Sequence, residues 1–284
     1  MCGLDSRLRG NDEFLPDHHT CYNSTSSIKH REHKFLLDHT FIHIAGIGPK
    51  TEKHLWGQGI LTWTDFLNHE KPIFSPDRDD LIRRELEISS EHRDDLLFFV
   101  DRLRPVDLWR VFESFQDQAV FLDIETSGGY QDMDEITVIG LYDGRKVQTF
   151  VNGRNLDEFE QAIASYSLVI TFNGSCFDLP ILRRWFRNLN LPPAHIDLRF
   201  LLKKLGLRGG LKSIERQLGF ARDPSVEGLN GFDAVLLWKA YQWGDPSALE
   251  RLILYNTMDI VQLKPLMELG AKELKERLLS GQVQ

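Results

Sequence analysis

Apolar positions recur in three different ways along this chain. Residues 1–33 are polar, show no sustained helical or strand period, and read as a disordered tail or as sequence upstream of the true start. From 34 to about 104 the periods are short and helical. FLL (35–37) and FIHI (41–44) lead into AGIGPKTEKHL (45–55), and a second helical piece over 61–67 follows Gly57-Gln-Gly59. Apolar residues at 81, 82, 86, 88, 96, 97 and 100 predict a longer helix over about 80–103, closed by Pro105.

From about residue 108 strand-like runs alternate with helical ones. Strands are predicted over 119–124, 135–142 and 146–151, the last two joined by Asp143-Gly144, a strong hairpin signal. A helix over 156–164 precedes a buried strand over 168–172, which Asn173-Gly174 ends. A helix over 179–189, an extended piece over 194–198 and helices to about 279 complete the chain. A hairpin followed by β-α-β units predicts an α/β fold: a mixed central sheet flanked by helices, preceded by a small all-α segment. The expected organisation is a tail over 1–33, a helical region over 34–104 and a catalytic domain over 105–279.

Composition changes this picture little. Of 284 residues, 42% are hydrophobic and 27% charged, ordinary for a globular protein. No apolar run is long enough to span a membrane, and no signal-peptide core is seen near the start, so the expected address is cytoplasmic. Cys2, Cys21 and Cys176 form no CxxC pair, which argues against structural zinc and a disulfide framework. A formal charge of −8 argues against binding nucleic acid through net charge alone.

The candidate chemistry lies where apolar elements end in acids. In a strand, side chains two apart share a face, so Asp123 and Glu125 project together from the strand beginning at Ala119. Gly128-Gly129 beyond them allows close approach of backbone or substrate. Asp178 follows the strand over 168–172, next to Pro180 at a helix start, where it could serve only as an N-cap. Asp245-Pro246 opens a further helix, on which Leu252, Tyr255, Asp259 and Leu263 form one inward stripe. A buried aspartate there needs a partner, and a structural Tyr–Asp hydrogen bond would provide one. Acids inside a core call for cations, and hard carboxylate oxygens suit a pair of divalent ions of the kind that cleave phosphodiesters.

Taken in order, FLDIETSGG (121–129), ITFNGSCFDLPILRR (170–184) and LILYNTMDIVQL (252–263) resemble the three motifs of the DEDD 3′–5′ exonucleases of the ribonuclease H-like superfamily. The Tyr-x-x-x-Asp spacing resembles the DEDDy branch. LWRVFESF (108–115) and LKSIERQLG (211–219) are similar to the YprB-like ribonuclease H domains, and the likeness covers roughly 105–270. The resemblance implies that Asp123, Glu125, Asp178 and Asp259 hold two Mg²⁺ or Mn²⁺ ions, with Asp123 bridging, and that Tyr255 positions the attacking water. The implied substrate is a single-stranded or frayed 3′ end of DNA or RNA; the alternatives are a binding or scaffolding module that cleaves poorly and an endonuclease of the wider superfamily.

Weaker signals point to nucleic-acid contacts. Asn173 could contact the terminal sugar or phosphate, or only form the Asn-Gly turn; Asp197 ends the extended piece near the sheet, as a supporting residue or a helix cap. The glycine-rich start of a helix (206–212) places Arg208 and Lys212 where they could meet a phosphate. AGIGPK (45–50) resembles a helix-hairpin-helix turn, with Gly46, Gly48 and Lys50 (and Lys53 beyond) facing a phosphate backbone; a tight turn used only for packing is the plainer reading.

Overall fold

A computed structural model describes residues 35–129 and 134–280. The tail predicted over 1–33, with Cys2 and Cys21, lies outside the described residues. The centre of the fold is a five-stranded sheet in which the strands, counted along the chain, lie in the order third, second, first, fourth, fifth. Its strands are β1 (Ala119–Thr126), β2 (Ile136–Tyr142), β3 (Val147–Val151), β4 (Leu168–Thr171) and β5 (Ala194–Asp197). β1, β2 and β3 are antiparallel neighbours, whereas β1, β4 and β5 run parallel. The hairpin predicted at Asp143-Gly144 is present: Asp143 accepts the Arg145 and Lys146 amides and Gly144 takes φ 89.

The period of two along β1 sorts its side chains between two cores. Val120, Leu122 and Ile124 pack with Phe159, Ile163, Leu179 and Leu182 on one face. Phe121 faces the other, with Ile170, Ile196, Leu263, Leu266 and Met267. Asp123 and Glu125 continue this second face. The same apolar cluster extends into the N-terminal helical stretch through Leu37, Phe41, Phe66, Leu86 and Phe99, so both parts of the described chain share one core.

That stretch contains α1 (Pro49–Gly57), α2 (Trp63–Leu67), α3 (Pro76–Glu91) and α4 (Leu96–Val100). The single helix expected over 80–103 is therefore two. Asp95 caps α4 by accepting the Leu97 and Phe98 amides, so the aspartate's preference for a cap overrides the continuous apolar period. After α5 (Phe112–Phe115), α6 (Phe159–Ile163) and α7 (Asp178–Trp185) flank the sheet. α7 stops before the expected 189. The C-terminal part comprises α8 (Leu198–Lys203), α9 (Leu211–Leu218), α10 (Gly231–Gln242) and α11 (Pro246–Leu279). Asp245 caps α11 through the Ser247 amide, and Leu252, Tyr255, Asp259 and Leu263 are all buried along one stripe. Among the described residues no helix is long and apolar enough to cross a membrane.

Candidate active site

The acidic residues come together where β1 ends and α11 crosses it. One carboxylate oxygen each from Asp123, Glu125 and Asp259 lies within 4.8 Å of the others. Asp178 joins them from α7. It is the first helical residue and not the cap, a position held by Phe177, and its Oδ1 accepts the Ile124 amide at 3.1 Å. The capping alternative for Asp178 is thus replaced by a tether to the strand that carries Asp123 and Glu125.

Burial and mutual repulsion dominate the electrostatics. Withdrawal from water raises Asp123 well above the usual carboxylate range, and the charges of Asp178, Glu125 and Asp259 add to the shift. Glu125 is raised for the same first reason, then by Asp259. Asp178 is pushed up to about 7, chiefly by burial, against backbone hydrogen bonds that favour its charged form. Burial also raises Tyr255, which keeps it a phenol rather than a phenolate.

Two cations answer this negative charge, one foreseen as a phosphate contact and one not foreseen at all. Lys212 was expected at a phosphate. Its Nζ donates to Tyr255 Oη at 2.5 Å and to Asp259 Oδ2 at 3.3 Å, and lies 4.1 Å from the centre of the Tyr255 ring. Lys212 shares a flank of α9 with buried Glu215, three residues on, while Ile214 packs the helix on the core. Arg222 follows α9 in a loop, with its side chain only 7% exposed. It donates twice to buried Glu215, at 2.6 Å each, and its Nη2 lies 2.5 Å from Asp259 Oδ1. These anionic partners outweigh its own burial and raise Arg222 further.

Asn256 likewise has no role in the sequence reading. It donates to Asp123 Oδ2 at 3.0 Å. Its side chain fits because Gly140, opposite Asp123 in the β1–β2 ladder, has no Cβ: one built there would lie 2.1 Å from Asn256 Oδ1. A helix-borne asparagine next to Tyr255 was the available signal for Asn256. Arg222 had none, since no local pattern marks a loop arginine as buried.

The donor set fits a hard divalent cation. All its ligands are carboxylate oxygens, the type Mg²⁺ and Mn²⁺ prefer. Glu125 Oε1 is buried without a hydrogen-bond partner among the described residues. Asp123, Glu125, Asp178, Asp259 and Glu215 are five carboxylates sharing Lys212 and Arg222. Such an excess requires either protonation or additional cations.

The neighbouring residues divide differently from the expectation. Asn173 adopts φ 66 in the turn after β4, and its Oδ1 accepts from Arg199 at 2.5 Å. Asp197 both caps α8 and gathers this turn, accepting the Arg199, Asn173 and Ser175 amides and the Ser175 hydroxyl. Arg208 lines an open groove beside Asn173, Cys176, Gly209 and Gly210, apart from the ion pairs of Lys212. Gly128 admits Val235 of α10, 2.8 Å from where its Cβ would stand, so the close approach there is made by the protein itself. At the N-terminal turn Gly46 takes φ 81, Gly48 caps α1 ahead of Pro49, and Lys50 is exposed. The element entering this turn is a 3₁₀ segment, Leu36–His39, and not an α-helix.

A family model described as the RNase_H superfamily matches residues 120–270, more than half of the chain and a span that contains Asp123, Glu125, Asp178 and Asp259. The chain belongs to the RNase_H superfamily. The mixed five-stranded sheet with flanking helices is the fold of that superfamily. No curated protein matches the sequence. Among solved structures it is similar to the family B DNA polymerase from the hyperthermophilic archaeon Pyrobaculum calidifontis, with 16% identity, a TM-score of 0.46, and coverage of 57% of this chain and 25% of the polymerase. Brucella melitensis NrnC bound to pGG is similar at 20% identity and a TM-score of 0.39, over 60% of this chain and 85% of NrnC. Escherichia coli RNase D, an exoribonuclease involved in structured RNA processing, is similar at 19% identity and a TM-score of 0.37, over 63% and 48%. The superfamily domain here thus spans only a quarter of the polymerase chain and about half of RNase D.

Proposed function

We propose that this protein is a metal-dependent 3′–5′ exonuclease of the DEDDy type, removing nucleoside 5′-monophosphates from a single-stranded or frayed end. The observation that carries this reading is the buried excess of carboxylates, with Asp123, Glu125 and Asp259 converging and Glu125 Oε1 unpartnered. Asp123, Glu125, Asp178 and Asp259 would hold two Mg²⁺ or Mn²⁺ ions. Held by these residues, such ions would supply Lewis-acid polarisation of the scissile phosphate and charge stabilisation of the attacking and leaving oxygens.

The remaining work belongs to the side chains. Tyr255, kept neutral, orients the attacking water through its hydroxyl without acting as a strong base. Lys212, donating to that hydroxyl, fixes its direction and places positive charge beside the reacting phosphate. Arg222, anchored by Glu215, holds one oxygen of Asp259 and sets the carboxylate's orientation. Asn256 does the same for Asp123. Gly46, Gly48 and Lys50 form a secondary nucleic-acid contact in this proposal, testable as weaker DNA binding by Lys50→Glu.

The test is digestion of 5′-labelled and 3′-labelled single strands of DNA and RNA with Mg²⁺, Mn²⁺ or EDTA, using wild type and Asp123→Asn. A ladder shortening from the 3′ end that requires both metal and Asp123 is expected. Cleavage that ignores EDTA or the substitution would sink the assignment. A second reading, a binding module of the same fold that cleaves poorly, draws on one observation: Lys212 and Arg222 engage both oxygens of Asp259. It predicts strand binding with no products under any metal.

A further inference from the structure

The open groove beside the acidic site has a volume of about 1040 Å³ and runs along residues that the catalytic chemistry does not use. It begins at Asn173 and Cys176, in the turn that ends at Asp178, and reaches Gly209 and Gly210, just before the helix that carries Lys212. Arg199, Lys203 and Arg208 line it, and none of the described residues lining it is acidic. In a chain of net charge −8 this is a local reversal of sign. Apolar rings accompany the cations. Phe172 and Phe200 line the groove, and Phe200 is 48% exposed. Phe177 and Phe232, next in the chain to the lining residues Cys176 and Gly231, are 42% and 68% exposed.

Arg199 and Lys203, four apart on α8, share a helix face; cations along a groove suit a phosphate backbone, and exposed rings suit unpaired bases. A duplex offers the cations phosphates but hides the faces of its bases from the rings. We infer that this groove holds the single strand leading to the acidic site, with Phe200 stacking on a base and Arg199, Lys203 and Arg208 meeting successive phosphates. Arg199, tied to Asn173 Oδ1, would link the strand path to the turn that delivers Asp178. The inference takes its substrate class from the exonuclease reading and deepens it.

The test measures binding in EDTA, which stops metal-dependent hydrolysis, so a failed exonuclease reading would leave its outcome intact. Full-length protein is titrated against a fluorescent oligothymidine of about 15 nucleotides at several salt concentrations. Lys203→Glu with Arg208→Glu should weaken binding at least about tenfold and make the salt slope shallower by about 1.4, since each lost phosphate contact removes about 0.7. Phe200→Ala should weaken it roughly 5- to 100-fold with the slope unchanged. Phe200→Leu, which keeps apolar bulk without the ring, should lose a comparable amount. The charge-matched control Arg145→Glu with Lys146→Glu, both exposed and in the β2–β3 hairpin, should change binding less than about twofold. Absence of strand binding by wild type would overturn the inference. So would equal losses from the two charge reversals, or a duplex of the same length competing as well as the single strand.

Discussion

Two buried acidic sites in this protein behave in opposite ways. Glu52 of α1 is 1% exposed and meets a single buried cation. Arg110 donates to both its oxygens, at 2.8 and 2.9 Å, and the Phe41 amide donates to one of them at 2.8 Å. At the end of β1 the balance is reversed. Acids outnumber cations, and one carboxylate oxygen of Glu125 is buried with no hydrogen-bond donor among the described residues. A buried acid matched one-to-one fastens two parts of a fold together, here α1 and the segment before α5. Acids in excess signal a site completed by something that arrives.

The sharpest way to break this comparison is to neutralise one acid at each site. Glu52→Gln leaves Arg110 buried and uncompensated, and should cost about 3–5 kcal/mol in urea unfolding. Asp123→Asn should leave the metal-free protein as stable as wild type or more so, because it removes repulsion from three nearby carboxylates. Its kcat on single strands should instead fall by about 10³-fold, the loss expected when a few kcal/mol of transition-state stabilisation is removed. Equal destabilisation by both substitutions would erase the distinction.

Next in size is Tyr255→Phe. It keeps the ring packed against Lys212 and loses only the hydroxyl, so kcat should drop about 10²-fold with metal affinity unchanged. Loss of metal binding along with rate would place Tyr255 in a structural role. The pH dependence follows from the raised carboxylates. Asp178 titrates at about 7 in the fold but near 3.9 when unfolded, so the folded state binds more protons between those values. The contribution is present at acid pH and is lost as pH rises through about 7. The melting temperature of the metal-free protein should therefore fall by several degrees from pH 5.5 to 8, and millimolar Mn²⁺ should remove that fall by taking the protons' place. A melting temperature that rises over this range without metal would contradict the assignment. The smallest effect is expected at Gly140→Ala. The new methyl must displace Asn256, costing about 1–3 kcal/mol of stability and freeing one oxygen of Asp123.

How much of this was legible depends on the range of the interactions. Asp123 and Glu125 could be paired from a period of two, and Tyr255 and Asp259 from a helical stripe, because local geometry alone sets those faces. The hairpin at Asp143-Gly144 was legible for the same reason. The split of the helix expected over 80–103 was not, because Asp95 acts as a cap through its own side chain while the apolar period runs on past it. Arg208 and Lys212 looked equivalent in the sequence, yet one lines the groove and the other turns into the acidic site. The roles of Glu215, Arg222 and Asn256 depend on contacts across the fold, to Asp259 and Asp123, which no local pattern records.

The central claim is that the carboxylates at the end of β1 form a divalent-metal centre. Titration of full-length protein with Mn²⁺, followed by electron paramagnetic resonance of the free ion, tests it without reference to any substrate. Wild type should bind two ions, and Asp123→Asn should lose at least one of them, while Glu52→Gln, once shown to be folded, keeps both. Failure of wild type to bind Mn²⁺, or identical binding by Asp123→Asn, would contradict the account.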